Sequence, residues 1–300
     1  MTLSTTSDTN SPDAPPRLRT IQALINPASG SVGPGAADIV AELVSRYGYA
    51  LITTILEPHG MEAAVQAAID AGPDLVLVLA GDGTARLAAE RCGPDGPLIA
   101  PMPGGTLNML PHALYGAQPW QDALLAILET GVERAVSGGR VGDHTFYVAA
   151  ILGAPALWAR AREAVRAGDL RQAIRRTAHA LRRAFTGDVS YVLDGRMQRP
   201  VEALALITPL VSKAVDQDVG LEAAALGLRS ASEAFRLAFN GLTGDWRRDP
   251  GVTTELCQAG RAKARHSIPA ILDGEVLRLS RQVDFAFVPK AFRALAPETA

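Results

Sequence analysis

From Thr20 onward, short apolar runs alternate with longer stretches whose apolar positions recur every three to four residues. Residues 20–26 and 50–55 read as strands, and residues 36–47 and 61–71 as amphipathic helices. Residues 74–80 (DLVLVLA) form a continuous apolar run between Pro73 and Gly81. A strand covered on both faces by helices has that pattern, because neither side of it meets water. Strand and helix alternate throughout this half, which predicts a doubly wound α/β layer structure with ligands beyond the carboxyl ends of the strands. Three glycine-containing turns fall at that edge.

The pattern changes near Ser137, Gly138 and Gly139, just after a predicted helix over residues 120–130. Strand-like segments with tight-turn signals follow, among them residues 189–193 before Asp194-Gly195 and residues 271–272 before Asp273-Gly274. Helices are predicted at about residues 155–183 and 231–239. The expected class is α/β plus mainly β: a mobile tail over residues 1–19, an α/β domain over 20–136, and a mainly antiparallel β domain with helical insertions over 137–300. The last segment of that second domain is a candidate to pack back on the first.

Composition narrows the class without naming a chemistry. Among 300 residues, 48% are hydrophobic and 20% charged, far from the polar composition of a disordered chain. A formal net charge of -2 offers no reason to expect a nucleic-acid partner. Cys92 and Cys257 are distant in sequence and form neither a disulfide framework nor a metal-ligand spacing, which suits a reducing cytoplasm. The longest apolar stretch, residues 149–159, is broken by Gly153 and Pro155 and falls short of the ~20 residues that span a bilayer. Membrane contact, if the chain makes it, is therefore expected to be peripheral, at the inner face.

Three turns carry the candidate chemistry. Asn26-Pro27-Ala28-Ser29-Gly30 follows the first strand, Gly81-Asp82-Gly83-Thr84 the third, and Pro103-Gly104-Gly105-Thr106-Leu107-Asn108 the apolar segment at residues 98–101. Small residues let backbone N–H groups approach phosphate oxygens at the positive end of the next helix. Asp82 offers a carboxylate to Mg²⁺ or its waters, and Thr84 is a helix cap or a phosphate ligand. Each turn taken singly also reads as an ordinary strand-to-helix connection. Their spacing matches neither the dinucleotide fingerprint nor a Walker A loop, since no lysine follows.

In order and spacing, these turns and the later Asp273-Gly274-Glu275 resemble the diacylglycerol kinase catalytic-domain family of lipid kinases, which includes sphingosine and ceramide kinases. The resemblance covers about residues 20–297. It implies an ATP-dependent lipid kinase that transfers the γ-phosphoryl group to a primary hydroxyl of a diacylglycerol- or sphingoid-like lipid, in a cleft between a doubly wound α/β nucleotide domain and an antiparallel β-sandwich domain. It implies that ATP is held by Asn26, Pro27, Ser29, Gly30, Gly81, Asp82, Gly83, Thr84, Gly105, Thr106 and Asn108. Asp82 would serve Mg²⁺ through the nucleotide. Asp273, aided by Glu275, would take the hydroxyl proton. A structural metal site in the family has a loose counterpart in Asp216 and Asp218.

The chain departs from the family pattern at Ala80, Arg86, Leu87 and Met109, where glycine, asparagine, glutamate and aspartate are usual. A diverged pseudokinase or a lipid- or nucleotide-binding module without turnover is the alternative reading, and an NAD kinase-like enzyme the third. Leu193-Asp194-Gly195 and Leu272-Asp273-Gly274 are identical tripeptides, so local sequence does not separate a catalytic aspartate from a turn aspartate. Between Leu170 and Phe185, Leu170, Ile174, Leu181 and Phe185 recur at helical spacing among Arg171, Arg175, Arg176, Arg182 and Arg183. That stretch is either a core-packed helix with a solvated basic face or a contact for anionic lipid.

Overall fold

The structure is a computed structural model that describes residues 18–57, 59–153, 189–212, 219–226 and 252–298. The helices expected at 155–183 and 231–239, the basic stretch from Leu170 to Phe185, and Asp216 and Asp218 lie outside the described residues. The chain divides into two compact units, one running to residue 135 and taking in the residues from 292 onward, the other spanning 136–291.

The first unit is an α/β layer structure. Strands β1 (Thr20–Ile25), β2 (Ala50–Ile55), β3 (Leu75–Ala80) and β4 (Leu98–Pro103) pair in parallel in the order β2-β1-β3-β4. Helices α1 (Ala36–Ser45), α2 (Met61–Asp70), α3 (Asp82–Cys92), α4 (Met109–Tyr115) and α5 (Trp120–Thr130) connect or follow them. All six residues of β3 are buried, as its unbroken apolar run requires, and Leu77→Ala there would cost about 2–5 kcal/mol. Helix α1 buries Ala36, Val40, Leu43 and Val44, one face of a 3.6-residue period.

Asp74, just before β3, accepts the N–H groups of Arg19 and Thr20 at 2.8 and 2.9 Å and so anchors the start of β1. The Thr20 N–H, then that of Arg19, hold the Asp74 carboxyl below its ordinary range. The end of the chain belongs to this unit. Ala294 pairs in parallel with Ile99, and the Tyr115 hydroxyl donates to the Leu295 carbonyl at 3.2 Å.

The second unit is antiparallel. The chain enters it within β5 (Gly131–Val141) and continues through β6 (His144–Phe146), β7 (Ala149–Gly153), β8 (Ser190–Leu193), β9 (Arg196–Met197), β10 (Ala203–Ile207) and β11 (Leu221–Leu226). Then come β12 (Val252–Cys257), β13 (Ala259–Lys263), β14 (Ile268–Leu272), β15 (Glu275–Leu279) and β16 (Gln282–Pro297), within which the chain leaves the unit. One sheet runs β12-β11-β10-β7-β14-β15, and its inner face packs on the strands β16, β13 and β8. Phe146, Tyr191 and Phe285 meet Leu152, Leu204 and Leu206 in that sandwich core.

Ser137-Gly138-Gly139, which reads as a break in the sequence, lies inside β5. The glycines are there for space: a Cβ on Gly138 would come within 3.0 Å of the Tyr147 ring, and one on Gly139 would strike the ring of Phe146. No helix among the described residues is long and apolar enough to cross a membrane.

Candidate functional site

The three glycine turns of the first unit leave the carboxyl ends of neighbouring strands β1, β3 and β4 and are packed against one another through backbone. A Cβ on Gly30 would stand 2.6 Å from the Gly105 carbonyl oxygen. One on Gly104 would meet the Ala80 carbonyl at 2.9 Å, and one on Gly105 the Asp82 carboxylate at 2.8 Å. Real Cβ atoms do not approach so closely, so glycine at these three positions is what lets the turns converge. Gly104 belongs to the third candidate turn but not to the residues that the resemblance assigns to ATP, and its place in a Gly-Gly pair is the sequence signal for this close approach.

Hydrogen bonds fasten the same contact. The Asn26 N–H donates to the Leu79 carbonyl at 2.9 Å, and the Asn26 side chain accepts the Ala28 N–H at 3.1 Å, folding the first turn on itself. The Ser31 hydroxyl donates to the Pro103 carbonyl at 3.1 Å, joining the first turn to the third. Ser29 places its hydroxyl oxygen beside Gly81, 3.3 Å from where a Cβ would be. Asn108, at φ 51°, accepts the Gly105 N–H at 2.7 Å and returns a bond to the Gly105 carbonyl at 3.2 Å. Gly30 and Thr106 remain exposed on this edge, while Pro27, Gly81 and Gly83 are half-buried.

Asp82 faces inward. Its Oδ2 accepts the N–H groups of Leu107 and Asn108 at 3.3 and 3.1 Å, and its Oδ1 that of Met109 at 2.9 Å. The start of α4 has no cap from its own residues, and this carboxylate from the neighbouring loop satisfies it instead. The charge expected to serve a metal thus builds the loop contact. Thr84 also turns away from the edge, buried with its hydroxyl 3.0 Å from the Met61 sulphur. Of the departures from the family pattern, Ala80 is buried at the end of β3, and Met109 still contributes its N–H to Asp82.

In the second unit, Asp273 and Gly274 form the two-residue turn between β14 and β15, with Leu272 paired to Glu275. Asp273 sits at φ 46° and is buried, with 5% of its surface exposed. Its Oδ2 accepts the Tyr147 N–H at 2.6 Å, and its Oδ1 those of Val148 and Ala149 at 2.9 and 3.0 Å. Three successive peptide N–H groups converge on one carboxylate, a small anion-binding nest. Glu275 is half-buried at the start of β15. Residues 147–149 carried no sequence signal for this role, because any residue but proline supplies an N–H. Among the described residues no cluster of three or more His, Cys, Asp or Glu side chains is placed to hold a metal ion.

Residues 20–141 match the sequence model of the diacylglycerol kinase catalytic domain. Among solved structures, a diacylglycerol kinase from Bacillus anthracis strain Sterne aligns with a TM-score of 0.69 at 12% identity, over 94% of this chain and 98% of that one. A further structure from the same strain, assigned as a diacylglycerol kinase, aligns at a TM-score of 0.70 and 16% identity over the same shares. No curated protein sequence matches the chain. The match over β1 to β5 covers all three loops, so residues 20–141 are similar to the diacylglycerol kinase catalytic domain, and the α/β and antiparallel units follow the fold of those structures.

Proposed function

We propose that this protein is an ATP-dependent lipid kinase that phosphorylates a primary hydroxyl of a diacylglycerol- or sphingoid-like lipid. The observation that carries the reading is the convergence of three turns at adjacent strand ends, so close that glycine is required at Gly30, Gly104 and Gly105. Loops of small residues at that edge of an α/β sheet suit a polyphosphate, which backbone N–H groups can cradle. Exposed Gly30 and Thr106 offer the approach. Mg²⁺·ATP, when bound, supplies the transferable phosphoryl group together with neutralisation of its charge. Asp82, oriented by the three N–H groups it accepts, would serve Mg²⁺ through the nucleotide, with most of the ion's ligands being phosphate oxygens and water.

Asp273 is the group proposed to accept the hydroxyl proton. The N–H groups of Tyr147, Val148 and Ala149 take three of the roughly four lone-pair sites of its carboxylate and orient the group firmly, as a positioned proton acceptor requires. The same saturation favours a second reading, a binding module without turnover, since Asp82 and Asp273 both spend their charge on backbone. Labelled ATP incubated with the protein and a panel of diacylglycerol, monoacylglycerol, a sphingoid base and ceramide separates the two. The kinase reading expects a labelled lipid product. Binding of ATP with no labelled product from any lipid would favour the module. In a parallel titration, Gly105→Ala is expected to weaken ATP binding by about tenfold or more, ~1.4 kcal/mol, because its methyl collides with Asp82.

A further inference from the structure

The N–H groups of Tyr147, Val148 and Ala149 point one way, toward Asp273, so the carbonyls of Tyr147 and Val148 are left to be satisfied elsewhere in a region where both residues are buried. One residue meets both. Thr208 follows directly on β10, with none of its surface exposed. Its hydroxyl donates to the Tyr147 carbonyl at 2.7 Å, with the Val148 carbonyl at 3.2 Å, and its N–H donates to the Val148 carbonyl at 3.1 Å. The register explains the meeting: Ile207 pairs with Ala149, so the next residue along β10 lies beside Val148.

Thr208 is itself held. Its carbonyl accepts the N–H groups of Val211 and Ser212 at 3.2 and 3.0 Å, and the Ser212 hydroxyl donates to Glu222 of β11 at 2.5 Å. Asp273, Thr208, Ser212 and Glu222 are all buried polar residues of this unit, and they form one hydrogen-bonded chain through the peptides of Tyr147 and Val148. Apolar packing would fill the same space without directing any peptide plane. Bonds from Thr208 to the Tyr147 and Val148 carbonyls fix the rotation of those two peptide planes and thereby aim the N–H groups on their far sides, those of Val148 and Ala149.

We propose that Thr208 is a positioning residue for the Asp273 carboxylate, acting through the peptide groups of Tyr147 and Val148. The inference rests on the reading of Asp273 as the proton-accepting group. Thr208→Val keeps the side-chain shape and removes the hydroxyl; Thr208→Ser keeps the hydroxyl and removes the methyl. Both are made in the full chain, with Thr208→Ala taking the place of the valine variant should that one fail to fold.

Two readouts are taken: amide hydrogen exchange resolved at Tyr147, Val148 and Ala149, and lipid phosphorylation separated into kcat and the KM for ATP. Thr208→Val is expected to speed exchange at Val148 and Ala149 by about tenfold over the rest of the unit, with Tyr147 less affected, and to lower kcat by about tenfold. Its KM for ATP should stay within about twofold of the parent, and Thr208→Ser should stay close to the parent in every readout. Unchanged exchange and kcat in the valine variant would overturn the proposal. So would exchange that rises uniformly across the unit, or a serine variant as impaired as the valine one. A parent that phosphorylates no lipid sinks the kinase reading alone, and the exchange contrast between valine and serine then decides whether Thr208 positions Asp273.

Discussion

Leu193-Asp194-Gly195 and Leu272-Asp273-Gly274 each close a two-residue hairpin, with the aspartates at φ 45° and 46° and the glycines at 81° and 88°. In each, the aspartate N–H donates to the first residue of a neighbouring strand, Ala259 at 2.9 Å or Ala149 at 3.0 Å, and the carboxylate accepts N–H groups at that strand's start. The backbone device is one and the same. The surroundings differ: Asp194 is exposed and serves Gln258 and Ala259, whereas Asp273 is buried, serves three peptides, and is backed by Thr208. A turn that any Asp-Gly pair can form becomes a candidate catalytic group only where the fold closes over it.

The largest expected difference is in turnover. If Asp273 accepts the lipid hydroxyl proton, Asp273→Asn should lower kcat by about 10² to 10⁴-fold, as measured by labelled phosphate transfer, with ATP affinity by titration little changed. Asp194→Asn should leave kcat within about twofold. Equal rates in an active parent and both variants would break the comparison.

Next comes stability. In Asp273 the Tyr147 N–H meets Oδ2 while the other two N–H groups meet Oδ1, so an asparagine leaves at least one buried N–H facing an amide NH₂. Asp273→Asn should therefore cost about 1.5–3 kcal/mol in denaturant unfolding. Asp194 Oδ1 by itself accepts both Gln258 and Ala259, and an asparagine retains it, so Asp194→Asn should cost under about 1 kcal/mol. Gly195→Ala and Gly274→Ala sharpen the comparison from the other side. Both glycines are left-handed, so each variant should lose about 1–2 kcal/mol, nearly the same for the two turns, by the same measurement.

The smallest effect concerns Asp74, which applies the same carboxylate-to-strand contact in the first unit. Its folded carboxyl lies below the ordinary value, so its contribution is complete above the unfolded carboxyl pKa of ~3.9 and is lost as pH falls through the folded value. Unfolding followed from pH 5 downward should show a shallower acid loss in Asp74→Asn than in the parent.

Asp82 repeats the device once more, at a helix start, and shows why parts of the site were hidden. The Gly-Asp-Gly-Thr turn and the Pro-Gly-Gly turn were legible as neighbours of strand ends, and glycine at Gly30 and Gly105 was legible as a sign of close approach. The direction of the Asp82 carboxylate was not, because it depends on a loop 25–27 residues further on crossing beside it. Thr84 offers a hydroxyl that local sequence assigns equally to a cap or a ligand, and the packing of α2 turned it toward Met61.

What the sequence by itself determined is the set of features governed by a few neighbouring residues: the alternation of strand and helix in the first unit, the doubly covered β3, and the two Asp-Gly hairpins. Their physics is local, in hydrophobic period and in backbone angles that glycine and aspartate tolerate. The tertiary structure alone decided which carboxylate meets which peptide. Asp273 finds Tyr147 across 126 residues of chain, Thr208 finds the same residue across 61, and Gly138 and Gly139 have no room for a Cβ because aromatic rings stand over them. Such contacts depend on the register of strands brought together from distant parts of the chain, and no local propensity encodes that register.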